Sequence, residues 1–157
     1  MRYRAEAMIV AATMTLWGLV RWVVYDFPQL GDTRVYQHAV RMMDAGFVPY
    51  RDFDIEYPPL ATGLFWLVSR VPGPPTLVFS LAMGLCLAAT AVATWVAGGQ
   101  LRLSHRQRVA ATAIVAFSPL LLGTLLQTRY DLVLAALLGW TLVAALAAKN
   151  TPALAAN

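Results

Sequence analysis

The chain is predicted to be an all-α integral membrane protein, with about four transmembrane helices and amphipathic juxtamembrane helices in the first outer loop. Three observations predict it. The 157 residues are 59% hydrophobic and only 13% charged, with a mean hydropathy of +0.60, more apolar than a water-soluble domain of this size needs to be. Uncharged runs cover residues 71–101, 109–128 and 132–148, and a fourth apolar stretch at 7–25 is broken only by Arg21. Each is near the roughly 20 residues that a helix needs to cross about 30 Å of hydrocarbon. The one long polar stretch, 31–60, holds five of the eight acids (Asp32, Asp44, Asp52, Asp54 and Glu56) along with Arg34, Arg41 and Arg51. Charge at that density belongs in water or at a membrane surface.

The net charge of +4 does not indicate a nucleic-acid partner. The arginines are scattered among apolar segments and form no basic stripe with interleaved aromatics, so membrane topology accounts for them. The single cysteine, Cys86, lies inside the longest apolar run, which excludes a disulfide framework and leaves no metal-ligand spacing.

The first span is placed at 7–25. Arg2 and Arg4 ahead of it resemble the start of a signal peptide, but the run is too long for one, contains Trp17 and Trp22, and is followed by no small-residue cleavage site. Arg21, Trp22 and Tyr25 suit the headgroup belt at its far end. The chain then leaves the bilayer at Asp26, Phe27 and Pro28, and an outer loop of 26–70 follows. From Asp32 the pattern is that of an amphipathic helix lying along the membrane surface. Val35, Tyr36, Ala39, Val40, Met42 and Met43 fall on one side, and Arg34, Gln37, His38, Arg41 and Asp44 on the other. Asp32 is the natural N-cap and Gly46 the natural stop. After the acidic run 51–56, Tyr57 leads into Pro58 and Pro59, a pair that forces an extended approach and permits a helix only from the second proline. That helix ends by Ser69 and Arg70, too short to span and suited to a half-embedded position.

Arginine counting sets the topology. If the short helix does not cross, the spans are about 7–25, 75–98, 109–128 and 131–148, and an N-terminus in the cytoplasm divides the twelve basic residues evenly between the two sides. If it does cross, only Arg2, Arg4, Arg70 and Arg129 remain inside. The compact cluster Arg102, Arg106 and Arg108 sits in a short loop, the kind that the positive-inside rule weights most, and favours the first arrangement. Arg129 and Asp131 then share the outer face with Asp32 and Glu56.

The order of Asp32 and Tyr36, an amphipathic helix, Gly46 with Pro49 and Tyr50, then Glu56-Tyr57-Pro58-Pro59-Leu60, and later Tyr130-Asp131-Leu132 at the head of a helix resembles the start of a GT-C membrane glycosyltransferase. Within that superfamily it is most similar to the polyprenyl-phosphate-mannose-dependent mannosyltransferases. The resemblance runs from the first span to about residue 148. It implies that Asp32 is the catalytic base in the first outer loop, that Asp131 is the second acid that helps shape the site, and that the helix after the prolines is a juxtamembrane helix. It implies a polyprenyl-phosphate sugar as donor, a lipid or glycan as acceptor, and an active face on the extracytoplasmic side of the cell membrane. GT-C enzymes have many more spans, so the chain is expected to be an N-terminal portion of a longer enzyme. The turn Thr128-Arg129-Tyr130-Asp131 departs from relatives that carry an amide there.

Chemistry supports the same residues. Sugar transfer from a lipid phosphate needs a base for the acceptor hydroxyl and positive charge for the departing phosphate. A carboxylate at a water–lipid boundary is partly desolvated and so a better base. Arg34, Arg51 and Arg129 are candidates to hold the phosphate, because a guanidinium binds its oxygens bidentately. Tyr36, Glu56 and Tyr57 are candidates to line the substrate site. Asp32, Glu56 and Asp131 also offer hard oxygen ligands for a divalent cation, and metal dependence stays open. Against these stand plainer roles: Asp32 as a helix cap, the arginines as headgroup anchors, Tyr57 as an interfacial residue at a turn. The rival function is a non-catalytic membrane scaffold or assembly subunit.

Overall fold

The computed structural model describes residues 4–24 and 32–155. Among them the chain is all helical, with no strand and only an isolated bridge between Pro49 and Phe53. Helix α1 (Arg4–Leu19) continues into a π-helical turn, Val20–Val24. The expected exit of the chain at residues 26–28 lies outside the described residues. Helix α2 spans Thr33–Asp44, α3 Pro59–Ser69, α4 Pro75–Gln100, α5 His105–Leu122, α6 Thr124–Thr128 and α7 Asp131–Ala155.

Among the described residues three helices, not the expected four, are long and apolar enough to cross a membrane: Arg4–Val23, Pro75–Gln100 and Asp131–Lys149. The difference lies in the run 109–128. Gly123 adopts φ 55° and ψ −127°, a conformation essentially confined to glycine, and it divides the run into α5 and the short α6. α5 also starts earlier than expected, at His105. Ser104 and Gln107 form a reciprocal capping box there, drawing Arg106 and Arg108 into the helix. Within α5, Pro119 leaves the Val115 carbonyl without its usual helical donor. The Ser118 hydroxyl donates to that oxygen at 2.7 Å.

The other helix boundaries follow from local chemistry. Pro59 and Pro75 occupy first-turn positions of α3 and α4, each after an extended proline. Their missing N–H groups cost nothing there. Gly46, at φ 90°, closes α2: its N–H donates to the Met43 carbonyl and that of Phe47 to Met42, both at 3.0 Å. This is the paired bonding of a left-handed helix stop. α4 ends in the same pattern, with Leu103 donating to Gly98 and Arg102 to Gly99, although Arg102 instead of glycine takes the left-handed position, at φ 57°.

α4 is the central helix, packing against α1, α3, α5, α6 and α7. Half of its apolar window is buried within the protein, against 17% for α1 and 11% for α7. The α7 side chains Leu134, Leu137, Leu138, Trp140 and Leu142 therefore face outward, an arrangement compatible with a helix in hydrocarbon. Small residues let the helices close on one another. Trp17 lies over Gly84, where an added Cβ would come within 2.9 Å of the indole, and Gly139 rests on Ala93. Arg108 lies against Gly98 and Gly99, stacks 3.7 Å from the Trp95 ring centroid and donates from Nε to the Trp95 carbonyl at 3.2 Å. Thr90 and Thr94 return their hydroxyls to carbonyls one turn back, and Cys86 is half-buried.

α2 buries Thr33, Tyr36 and Ala39, with Arg34, His38 and Arg41 exposed, as its pattern predicts. Val35 is the correction: it is 45% exposed. One residue, or about 100°, away from Tyr36, it falls off the buried stripe and faces the open cup described below. α3, at about 1.5 Å per residue, is far shorter than a bilayer core, and it lies between α2 and the start of α4.

Candidate functional site

The start of α2, Tyr57 in the turn ahead of α3 and the link ahead of α7 meet at one end of the helical bundle. Asp32 occupies the N-cap position of α2, but the expected cap does not form. Its backbone is already helical, at φ −65° and ψ −18°, and its side chain makes no capping bond. A cap needs an extended residue to bring the side chain back over the first N–H groups. The carboxylate instead pairs with Arg129, Nε to Oδ2 at 3.5 Å, with the Arg129 side chain 51% and the Asp32 side chain 31% exposed.

Two tyrosines stand beside this pair. Tyr36, one turn after Asp32, is buried and stacks on Phe65 at 4.1 Å between centroids, with Tyr57 edge-on at 5.2 Å and Phe79 at 5.1 Å. The Tyr36 hydroxyl donates to that of Tyr57 across 3.4 Å, a long and weak bond. Burial, reinforced by the Tyr57 hydroxyl and the Asp32 charge, holds Tyr36 far above the ordinary tyrosine range, while a backbone hydrogen bond from Tyr130 opposes the shift. Tyr57 is raised too, chiefly by burial; its Tyr36 bond and Arg129 oppose the shift and Asp32 adds to it. Both phenols are thus neutral donors beside a carboxylate.

An open cup of about 520 Å³ is lined by Asp32, Val35, Tyr50, Asp54, Ile55, Glu56 and Tyr57. Glu56 therefore shares it with Asp32, as expected. Asp131, the exposed first residue of α7, stands two positions after Arg129 but does not line the cup. The expected meeting of Asp32, Glu56 and Asp131 is thus incomplete. Among the described residues no group of three or more His, Cys, Asp or Glu side chains is placed to hold a metal ion. Arg51 is turned to its neighbour Asp52, with bonds of 2.9 and 2.7 Å, which holds Asp52 below the usual carboxylate range. Arg34 is exposed on α2.

Three contributors were not among the expected site residues. Tyr130 is buried and meets Phe65 edge-on at 5.7 Å. Phe65 is the plate on which Tyr36, Tyr57 and Tyr130 converge. The Tyr50 hydroxyl donates to the Tyr57 carbonyl, tying the 50–57 loop across its base. Tyr130 had a local signal in its place beside Asp131, whereas Phe65 is one apolar residue of many in its helix.

Comparison with protein-family models, curated proteins and solved structures finds no match for this chain.

Proposed function

We propose that the chain is a multi-pass protein of the cell membrane that acts on its extracytoplasmic side. It transfers a hexose such as mannose from a polyprenyl-phosphate donor to a lipid or glycan acceptor. The observation that supports this most is the Asp32–Arg129 pair: a carboxylate not engaged in helix capping, next to a guanidinium, at the edge of an open cup. In the reaction the acceptor oxygen attacks the anomeric carbon as the bond from that carbon to the phosphate oxygen breaks. The hydroxyl proton passes to the Asp32 carboxylate, and Arg129 balances the charge on the released phosphate. Displacement from one face inverts the anomeric centre. Tyr57 and Glu56 border the space for the sugar, and Arg129 is favoured over Arg51 as the phosphate partner because it stands beside the proposed base Asp32, whereas Arg51 pairs with Asp52.

The test is transfer of labelled mannose from its polyprenyl phosphate in membranes that contain the protein. Asp32→Asn is expected to lower the rate by about 10²-fold or more with the protein still inserted. Asp32 makes no capping bond and its partly exposed pair with Arg129 contributes little to stability, so a large loss of rate would report the loss of a base. Normal turnover by the Asn variant would replace this reading with that of a non-catalytic scaffold.

A further inference from the structure

A second cavity, of about 280 Å³, opens between α2, α3 and the start of α4. It shares no lining residue with the cup around Asp32. Val40, Phe65, Val68 and Phe79 give it an apolar floor, and Arg41 and Arg70 stand at its exposed mouth.

The two arginines are held differently. Arg70 pairs with Asp44 and lies over the Trp66 ring, 4.5 Å from its centroid, and Trp66 Nε1 donates to the same carboxylate at 3.1 Å. Arg41 has no carboxylate partner among the described residues. Two guanidiniums against one carboxylate leave the mouth with a net positive charge. A water-soluble anion would match the mouth and leave the floor uncovered, whereas an apolar ligand would match the floor alone. An amphiphile with an anionic head matches both.

We propose that this cavity binds one anionic glycerophospholipid of the surrounding leaflet, with its headgroup phosphate on Arg41 and Arg70 and an acyl chain against Phe65 and Phe79. The lipid is a fixed structural ligand, not a substrate, because the cavity lacks Asp32, Arg129 and Tyr57. Tyr36 forms part of its wall, so the bound chain backs the tyrosine that stands beside Asp32. The proposal rests on the membrane placement and is independent of sugar transfer.

The full chain is placed in nanodiscs of phosphatidylcholine containing a minor fraction of phosphatidylglycerol, then released into detergent, and retained lipid is counted by native mass spectrometry. One phosphatidylglycerol per chain is expected. Arg41→Gln is expected to reduce retention about tenfold through loss of a hydrogen bond to a charged group, about 1.4 kcal/mol, whereas Arg41→Lys keeps most of it. Arg34→Gln, on the same helix but outside the cavity, keeps all of it. Val68→Trp, which fills the floor, loses the lipid with both arginines in place. Equal losses from Arg34→Gln and Arg41→Gln would show diffuse surface attraction and overturn the site. So would retention unchanged by Val68→Trp, or release of the lipid by millimolar inorganic phosphate. A chain that fails to enter nanodiscs at all would overturn the membrane placement itself, a result distinct from loss of transfer activity.

Discussion

Arg129 Nε stands 3.5 Å from Asp32 Oδ2, which joins the first turn of α2 to the link ahead of α7 across the length of four intervening helices. Both side chains are partly in solvent, so the attraction is screened. A double-mutant cycle with Asp32→Asn and Arg129→Gln is expected to give a coupling of about 0.2–1 kcal/mol in unfolding, decreasing as salt rises. A coupling of several kcal/mol, insensitive to salt, would contradict the exposure of the pair.

Tyr36 is expected to matter through its ring more than its hydroxyl. Tyr36→Phe gives up one long bond to Tyr57 and should cost less than about 1 kcal/mol. Tyr36→Ala removes the plate between Phe65, Tyr57 and Phe79 and should cost about 3–5 kcal/mol. The folded chain keeps Tyr36 un-ionised above the ordinary value of 10.0. Its stabilisation is therefore complete below that pH and is lost as pH rises beyond it. Thermal melting followed into alkali should show this loss in the wild type and a smaller one in Tyr36→Phe.

Gly84→Ala should weaken the α1–α4 contact by about 1–3 kcal/mol, because the new methyl would stand 2.9 Å from the Trp17 ring in a fully buried position. Trp17→Leu should restore part of the loss in the double variant. A neutral effect of Gly84→Ala on thermal unfolding in detergent would mean that α1 does not sit on α4 as described.

Arg102→Gly is expected to stabilise the chain. Arg102 holds φ 57° at the end of α4, a conformation that costs a residue with a side chain about 1 kcal/mol and glycine very little. The melting temperature should rise, and a fall would show that the arginine side chain contributes more than its backbone costs.

Much of the helical layout was legible because it depends on neighbours in sequence. Gly46 stops α2, and the proline pairs at 58–59 and 74–75 open α3 and α4, each through a conformation that a few adjacent residues decide. What escaped depends on partners far along the chain, or on a torsion that several residues could take. Nothing beside Gly123 in sequence distinguishes it from Gly139, which stays helical. Asp32 carries the residue type of a cap, and only its own helical backbone and the arrival of Arg129 assign its carboxylate elsewhere. Sidedness alone suggests that Asp32, Glu56 and Asp131 meet with Tyr36 and Tyr57 lining the space, yet of these only Asp32, Glu56 and Tyr57 line the cup, and the convergence of Tyr36, Tyr57 and Tyr130 on Phe65 needed the fold.

The clamp of Arg108 on Trp95, Gly98 and Gly99 bears on how the protein is made. Arg102, Arg106 and Arg108 crowd the tip of the α4–α5 hairpin, and moving each through hydrocarbon would cost about 2.5–3.5 kcal/mol even on insertion-based scales. In a bilayer that cost would keep the hairpin tip on the side where it emerges, with Arg108 clamping the start of α5 to the end of α4. Arg129 follows this hairpin in sequence, so its pair with Asp32 can form only after both arms have been synthesised.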